Sequence, residues 1–286
     1  KFNLGSANKN FTAVVIAQLV EEGKLSWDDP LSKFLPDFPD SASARQVLIK
    51  HLLSHSAGLG SYFNRKFMES SRTRYRTVDE MMTLARPDSL RFKPGSAFRY
   101  SNTGFLVLGK VIEVVEGRSY FDVVRDRIYK PLGMTATDAF QLDQVNPNLA
   151  VGYTRAPGPN GVELRNNIFE HVIRGGPAGG GYSNAPDMLR YAEALRTGKL
   201  IKRSTLDLMR SPKPELGAPR YGYGFALFDG PQVWGHGGDF PGIDFDLNQY
   251  GESGYTVIVM ANYDRVNEPI LRKMKDLLRG TGALAD

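Results

Sequence analysis

The stretch Phe2-Asn3-Leu4-Gly5-Ser6-Ala7-Asn8-Lys9-Asn10-Phe11, running on through Val14, Val15 and Leu19 to Gly23, governs how the rest of the chain is read. Its apolar residues 11, 14, 15 and 19 recur at helical spacing and Gly23 stands where a left-handed C-cap belongs, so the pattern predicts one helix over about residues 6–22. Ala13, Ile16, Ala17 and Val20 make its other faces apolar as well, which places the helix in the interior. Ser6 and Lys9 stand three apart in its first turn, on one face. The free N–H groups and positive dipole end of that turn favour negative charge on the Ser6 oxygen and disfavour a proton on Lys9. A hydroxyl beside an amine pairs a nucleophile with its base. Ser-x-x-Lys arises by chance in chains of this size. This one is the single occurrence in the sequence, and it lies where an idle Lys would be costly to bury.

Composition narrows the function classes. The 286 residues suit one large core or two subdomains. The formal charge of +5 is spread through mixed-sign segments, and its densest cluster, Arg72, Arg74 and Arg76, precedes a helix start and reads as solvated surface. With no aromatic-plus-basic ladder beside it, a nucleic-acid partner is not expected. The chain has no cysteine, which excludes disulfides, Cys-zinc sites and thiol chemistry. No apolar run reaches the roughly 18 residues that span a membrane. The sequence begins at Lys1, without Met and close to Ser6, so a fragment or processed form is expected and the compartment, periplasmic, secreted or cytoplasmic, is unknown.

Beyond the first helix, residues 28–39 form a Pro- and Asp-rich connector, and Val47, Leu48, Leu52 and Leu53 predict a helix over about 44–54. His51 and His55 have the four-residue spacing of helical metal ligands, but no Glu follows His51 and only two other histidines exist, so no metal centre is expected. Thr77 and Glu80 form a capping box for a helix to about Ala85, closed by Pro87. Pro94-Gly95 marks a turn, after which Tyr100 and Asn102 lie on a loop entering an apolar helix that ends at Gly117. Another helix covers about 121–128. Residues 135–177 lack periodicity and read as mostly irregular, while the Gly-dense 175–181 lacks the Gly-Lys-Ser/Thr ending of a phosphate loop and reads as a close-packed turn. A helix follows over 183–195. Alternation of Ile243, Phe245 and Leu247 with Asp244, Asp246 and Asn248 predicts a strand, 255–260 a central strand, and 221–228 and 232–237 two earlier ones, joined by turns such as 251–254. A helix over 269–279 packs on that sheet. The sum is an α+β protein: an antiparallel sheet flanked by helices, with a mainly helical subdomain.

Five ordered motifs then converge. Ser6-x-x-Lys9, Leu52-Leu53-Ser54-His55-Ser56-Ala57-Gly58-Leu59, Pro94-Gly95 before Tyr100-Ser101-Asn102, Gly180-Gly181-Tyr182-Ser183 before Asp187, and Gly235-His236-Gly237-Gly238 before Pro241-Gly242 resemble the serine β-lactamase-like family. That family includes class C β-lactamases, D-alanyl-D-alanine carboxypeptidases and family VIII carboxylesterases. Tyr62-Phe63-Asn64 also fits Tyr-x-Asn, but only Tyr100 follows a Pro-Gly turn at the family's separation from Ser6. The resemblance implies one catalytic domain over 1–286, with the α/β part at about 1–25 and 200–286 and the helical subdomain at about 26–199. It also implies that the family's N-terminal strands are missing from this chain, leaving a sheet edge for a separate N-terminal segment to complete.

By the same resemblance, Ser6 is acylated and Lys9 and Tyr100 share the base and proton-relay work, in an order the sequence leaves open. Asn102 holds Lys9 and the substrate's carbonyl side. The oxyanion hole is formed by the main-chain N–H of Ser6 and of Asp239, reached past His236, Gly237 and Gly238. No cofactor is implied. His236 stands where class C β-lactamases carry Lys, and an unperturbed His of about 6.5 offers no permanent charge to a substrate carboxylate. This favours a carboxylesterase on small esters, ahead of a D-alanyl-D-alanine carboxypeptidase or weak β-lactamase acting on amides. A non-catalytic penicillin-binding or sensor protein is the alternative of another class.

Overall fold

The computed structural model describes residues 1–85, 89–251 and 253–281. Its elements begin with strand β1 (Phe2–Asn3), a 3₁₀ turn (Gly5–Ala7) and helix α1 (Asn8–Glu21). The segment that follows holds α2 (Ser41–Gln46), α3 (Ile49–Leu53), α4 (Arg65–Glu69), α5 (Val78–Ala85), α6 (Asn102–Glu116), α7 (Tyr120–Val124), β2 (Tyr153–Gly158) and β3 (Gly161–Asn166). Then come β4 (Tyr182–Ser183), α8 (Ala185–Arg196), α9 (Arg203–Met209), the strands β5 (Ala226–Asp229), β6 (Val233–Phe240), β7 (Ile243–Tyr250) and β8 (Thr256–Ala261), and α10 (Asn267–Gly280).

The molecule is built around α1. Phe11, Val14, Val15, Ile16 and Leu19 are fully buried, each contributing about 1.5–3 kcal/mol of burial, and Phe11 meets Tyr129 and Tyr191 edge-on. The helix ends in a Schellman motif: Gly23 has φ +71°, Lys24 N–H donates to Leu19 O and Gly23 N–H to Val20 O. Its start differs from the predicted single helix, because Gly5–Ala7 wind as a 3₁₀ turn before α1.

The main sheet is antiparallel in the order β5-β6-β7-β8. Phe245 and Leu247 of β7 are buried in the core, as their alternation requires. β6 and β7 form a hairpin in which Phe240 faces Ile243 across Pro241-Gly242. β1 pairs with β4, tying the approach to Ser6 to the segment after the Gly-rich turn.

Two expectations needed correction: the strand over 255–260, read as central, is β8 at the edge of the sheet among the described residues, and one predicted helix is broken. The helix predicted over 44–54 is split, because Val47 and Leu48 are extended: Leu31 N–H donates to Val47 O and Ile49 N–H to Asp29 O. Residues 135–177 are mostly irregular outside the β2–β3 hairpin, whose strands are largely exposed and so leave no buried-face periodicity. The helix α9 had no counterpart among the sequence expectations. The capping box is present, with Glu80 N–H donating to Thr77 Oγ1 and Thr77 N–H to Glu80 Oε2. The proposed stop at Pro87 and residue Glu252 of the 251–254 turn lie outside the described residues.

Candidate active site

Ser6 lies half-buried in the 3₁₀ turn, and Lys9, one turn on, is fully buried. Lys9 Nζ lies 3.2 Å from Ser6 Oγ, 2.8 Å from Asn102 Oδ1 and 2.6 Å from Ala178 O. Burial holds the Lys9 pKa well below its ordinary value. A neutral amine has two N–H groups for Asn102 and Ala178 and one lone pair, which faces the Ser6 hydroxyl as a proton acceptor.

The Tyr100 hydroxyl interacts with that of Ser6, and its ring centroid lies 4.8 Å from Lys9 Nζ. Although the residue is 39% exposed, burial of the phenol pushes its pKa up, opposed only in part by the Ser6 hydroxyl. The phenol is therefore protonated at neutral pH. Ser101 anchors this segment: its Oγ accepts from Gly104 N–H at 2.9 Å, capping α6, and donates to Gly60 O at 2.6 Å. Its N–H donates to His55 Nδ1 at 3.1 Å. The His55 ring packs 4.3 Å from Tyr100, 4.6 Å from Tyr221 and 5.1 Å from Phe105. Burial lowers the His55 pKa well below 6.5, keeping Nδ1 free to accept. Sequence reasoning weighed His55 only as a metal ligand and missed this positioning role. The clue available was its place in the 52–59 motif. His51 is likewise used locally, its Nδ1 accepting from Leu48 N–H at 3.1 Å.

The Gly-rich segment 175–181 is indeed a packed turn against Ser6. Gly180 N–H donates to Gly5 O, Gly181 N–H to Asn8 Oδ1, and Leu4 N–H to Gly181 O. On the opposite side Gly5, at φ +48°, meets Gly238 backbone to backbone: a Cβ on Gly238 would lie 2.0 Å from Leu4 O, and one on Gly5 would lie 2.9 Å from Gly238 C. Phe240 and Ile243 flank a two-residue hairpin loop, so the next pair, Asp239 and Asp244, is a wide one and Asp239 N–H turns away from β7. It faces the edge of β6 against which Gly5 and Ser6 pack. The Ser6 N–H opens a helical turn, beyond reach of the ladder's own carbonyls. The sequence thus brings Ser6, Lys9, Tyr100, Asn102, Gly237, Gly238 and Asp239 to one place.

His236 is buried on β6. Its Nδ1 lies 2.5 Å from Gly237 O and its Nε2 2.8 Å from Tyr221 Oη, so Nδ1–H donates and Nε2 accepts the phenol proton. Burial, before any other cause, lowers its pKa to about 3. The absence of a permanent positive charge here is therefore more complete than an unperturbed imidazole would give.

The cleft has two limbs meeting at Ser6, both bordered by Phe63, Asn102, Asp239 and Phe240. Limb one adds Tyr62, His171, Val172 and Ile243 with the backbone of 178–180; limb two adds Tyr100, Tyr221 and His236 with Asp244 and Asp246. Tyr62 and Phe63 of limb one come from the loop after α3, and His171 and Val172 from the end of the irregular stretch 135–177. Among the described residues lining either limb, none is Lys or Arg. Among the described residues, no three His, Asp or Glu side chains converge as a metal site would require.

The family model described as Beta-lactamase matches residues 1–277. The chain belongs to the beta-lactamase family. Among relatives, it is 30% identical over 288 residues to the teichoic acid D-alanine hydrolase of Staphylococcus aureus (strain NCTC 8325 / PS 47), covering 97% of this chain and 66% of that protein. Among solved structures it resembles a penicillin binding protein from Bacillus halodurans, with TM-score 0.85, 29% identity and coverage of 96% of this chain and 85% of that one. It also resembles a D-stereospecific amidohydrolase from Streptomyces sp., with TM-score 0.75, 29% identity and coverage of 92% and 82%. The chain spans 61% to 66% of the length of the first curated relatives it matches. The beta-lactamase fold of these neighbours is the α+β architecture expected from the sequence.

Proposed function

We propose that this beta-lactamase family member is a serine hydrolase working through an acyl-enzyme on Ser6, with small esters as substrates. One observation carries the reading: a fully buried amine 3.2 Å from a hydroxyl that also has a phenol beside it. Lys9, neutral by burial, takes the Ser6 proton as Oγ attacks the ester carbonyl. The N–H groups of Ser6 and Asp239 hold the oxyanion. Tyr100, whose phenol stays protonated, donates to the departing alkoxide and recovers a proton from the Lys9 ammonium, which returns the amine to its neutral form. A water then adds to the acyl-Ser6 carbonyl, giving up its proton to the same relay, and Ser6 leaves with a proton restored. Ester and water become acid and alcohol.

Tyr100 borders limb two and not limb one, so the alcohol it protonates sits in limb two and the acyl group in limb one. The lack of Lys and Arg along either limb, with His236 held neutral, disfavours substrates that present a carboxylate, which supports esters over β-lactams and D-alanyl-D-alanine. The hydrolase names of the Staphylococcus and Streptomyces relatives support acyl-bond cleavage without fixing the acyl group. The proposed occupant of the outer edge of β8, which pairs with no strand among the described residues, is an N-terminal segment preceding or separate from this chain.

The test compares p-nitrophenyl acetate and butyrate with nitrocefin, using the wild type and Ser6→Ala. Ester turnover that disappears in Ser6→Ala supports the reading. Nitrocefin turnover matching ester turnover replaces it with a β-lactamase, and stoichiometric labelling without turnover replaces it with a binder or sensor.

A further inference from the structure

Limb one is walled by Tyr62, Phe63, Val172, Phe240 and Ile243, and His171 stands among them. His171 is only 8% exposed, and its ring lies 5.7 Å from that of Phe240. That ring contact is the sole side-chain interaction of His171 among the described residues, so neither imidazole nitrogen has a protein partner. The other three histidines all use a ring nitrogen: His51 on Leu48 N–H, His55 on Ser101 N–H, and His236 on Tyr221 and Gly237. Buried polar side chains are nearly always hydrogen-bonded, and a neutral imidazole carries one donor and one acceptor. Burial lowers the His171 pKa to about 4, which keeps the ring neutral and one nitrogen free to accept. That capacity belongs to a side chain that borders both limb one and a second cavity along residues 68–73.

We infer that His171 is a specificity-determining substrate contact, accepting a hydrogen bond from an N–H or O–H carried by the acyl group in limb one. The substrate class is then amino- or hydroxyacyl esters and amides in preference to plain alkanoyl ones. The inference rests on the proposed function only for which side of the scissile bond occupies limb one. Asp239 borders the same limb and is exposed, so its carboxylate adds attraction for an ammonium and repulsion for a carboxylate. The apolar walls supply affinity, and the imidazole supplies the choice between acyl groups of equal size.

Because the inference concerns binding, it is tested without turnover. In Ser6→Ala protein the ring resonances of His171 are followed by ¹H–¹⁵N NMR, assigned by their loss in His171→Gln, during titration with propionamide, lactamide and alaninamide. The expected result is movement with lactamide, alaninamide or both, and none with propionamide; movement with alaninamide alone narrows the class to aminoacyl groups. In His171→Phe the affinity for the responding amide, relative to propionamide, falls about 3- to 10-fold, and His171→Gln recovers part of it. Equal shifts with all three amides, no shift with any, or an unchanged affinity ratio in His171→Phe overturns the inference. A wild-type protein that hydrolyses no ester while His171 responds selectively overturns the hydrolase reading and leaves this one standing.

Discussion

Tyr62-Phe63-Asn64 and Tyr100-Ser101-Asn102 share a sequence pattern and part company in every physical respect. Tyr62 is buried in the wall of limb one, and Asn64 caps α4, its Oδ1 accepting from Phe67 N–H at 3.1 Å. Tyr100 instead presents its hydroxyl to Ser6, and Asn102 accepts from Lys9 at 2.8 Å. The middle residue separates them. Phe63 is part of an aromatic cluster, stacked on Phe240 at 5.4 Å, whereas Ser101 is pinned by His55, Gly60 and Gly104 and fixes where its two neighbours point. A Tyr-x-Asn pattern becomes a working pair only when something rigid stands behind its centre.

Substitutions can break this comparison. The largest contrast is between the tyrosines: Tyr100→Phe should lower kcat on a p-nitrophenyl ester by about 10²- to 10⁴-fold, and Tyr62→Phe by less than about tenfold, seen mainly in KM. A similar loss in both would mean that Tyr100 does not move the proton. Between the asparagines, Asn102→Ala should cost about 10- to 100-fold in kcat through the lost hydrogen bond to Lys9, while Asn64→Ala should cost about 1 kcal/mol of stability in denaturant melts, by loss of a cap. His55→Phe keeps the ring packing and leaves Ser101 N–H unpaired. Its expected signature is a kcat reduced about tenfold, with about 1–3 kcal/mol less stability. If kcat holds while stability drops, His55 supports the fold and not the placement of Tyr100.

The pH profile gives the smallest and most diagnostic effect. Lys9 accepts a proton only when neutral, and burial lowers its pKa, so kcat/KM should climb as pH rises through a value below the ordinary 10.5 of lysine. All four histidines have pKa values pushed below 6.5, to about 4 for His51 and His171 and about 3 for His236, with His55 well below its ordinary value. They remain neutral through the physiological range. An inflection near 6.5 that vanishes in His236→Asn would show that His236 titrates and carries charge for the substrate.

What the sequence disclosed was whatever is encoded by spacing along one element. Ser6 and Lys9 are a helical turn apart, Thr77 and Glu80 a capping box, and Ile243, Phe245 and Leu247 one face of a strand. Recognition of the family placed Tyr100, Asn102 and the β6 glycines beside them. Features that depend on distant backbone stayed hidden. The break at Val47 and Leu48 is imposed by hydrogen bonds from residues 29–31, which no local propensity records. The β2–β3 hairpin turns through Pro159 and Asn160, yet both strands are too exposed to show a buried face. His171 was invisible for a different reason: its meaning lies in partners it does not have, which only the packed fold reveals.

The meeting of Gly5 with Gly238 has a consequence for how such a protein changes over time. Because the gap between the turn carrying Ser6 and the strand carrying Asp239 is set by bare main chain, no side-chain replacement can tune it gradually; any residue larger than glycine pries the two apart. Room for graded change in the cleft lies instead in its side-chain walls, at positions such as Phe63 and His171.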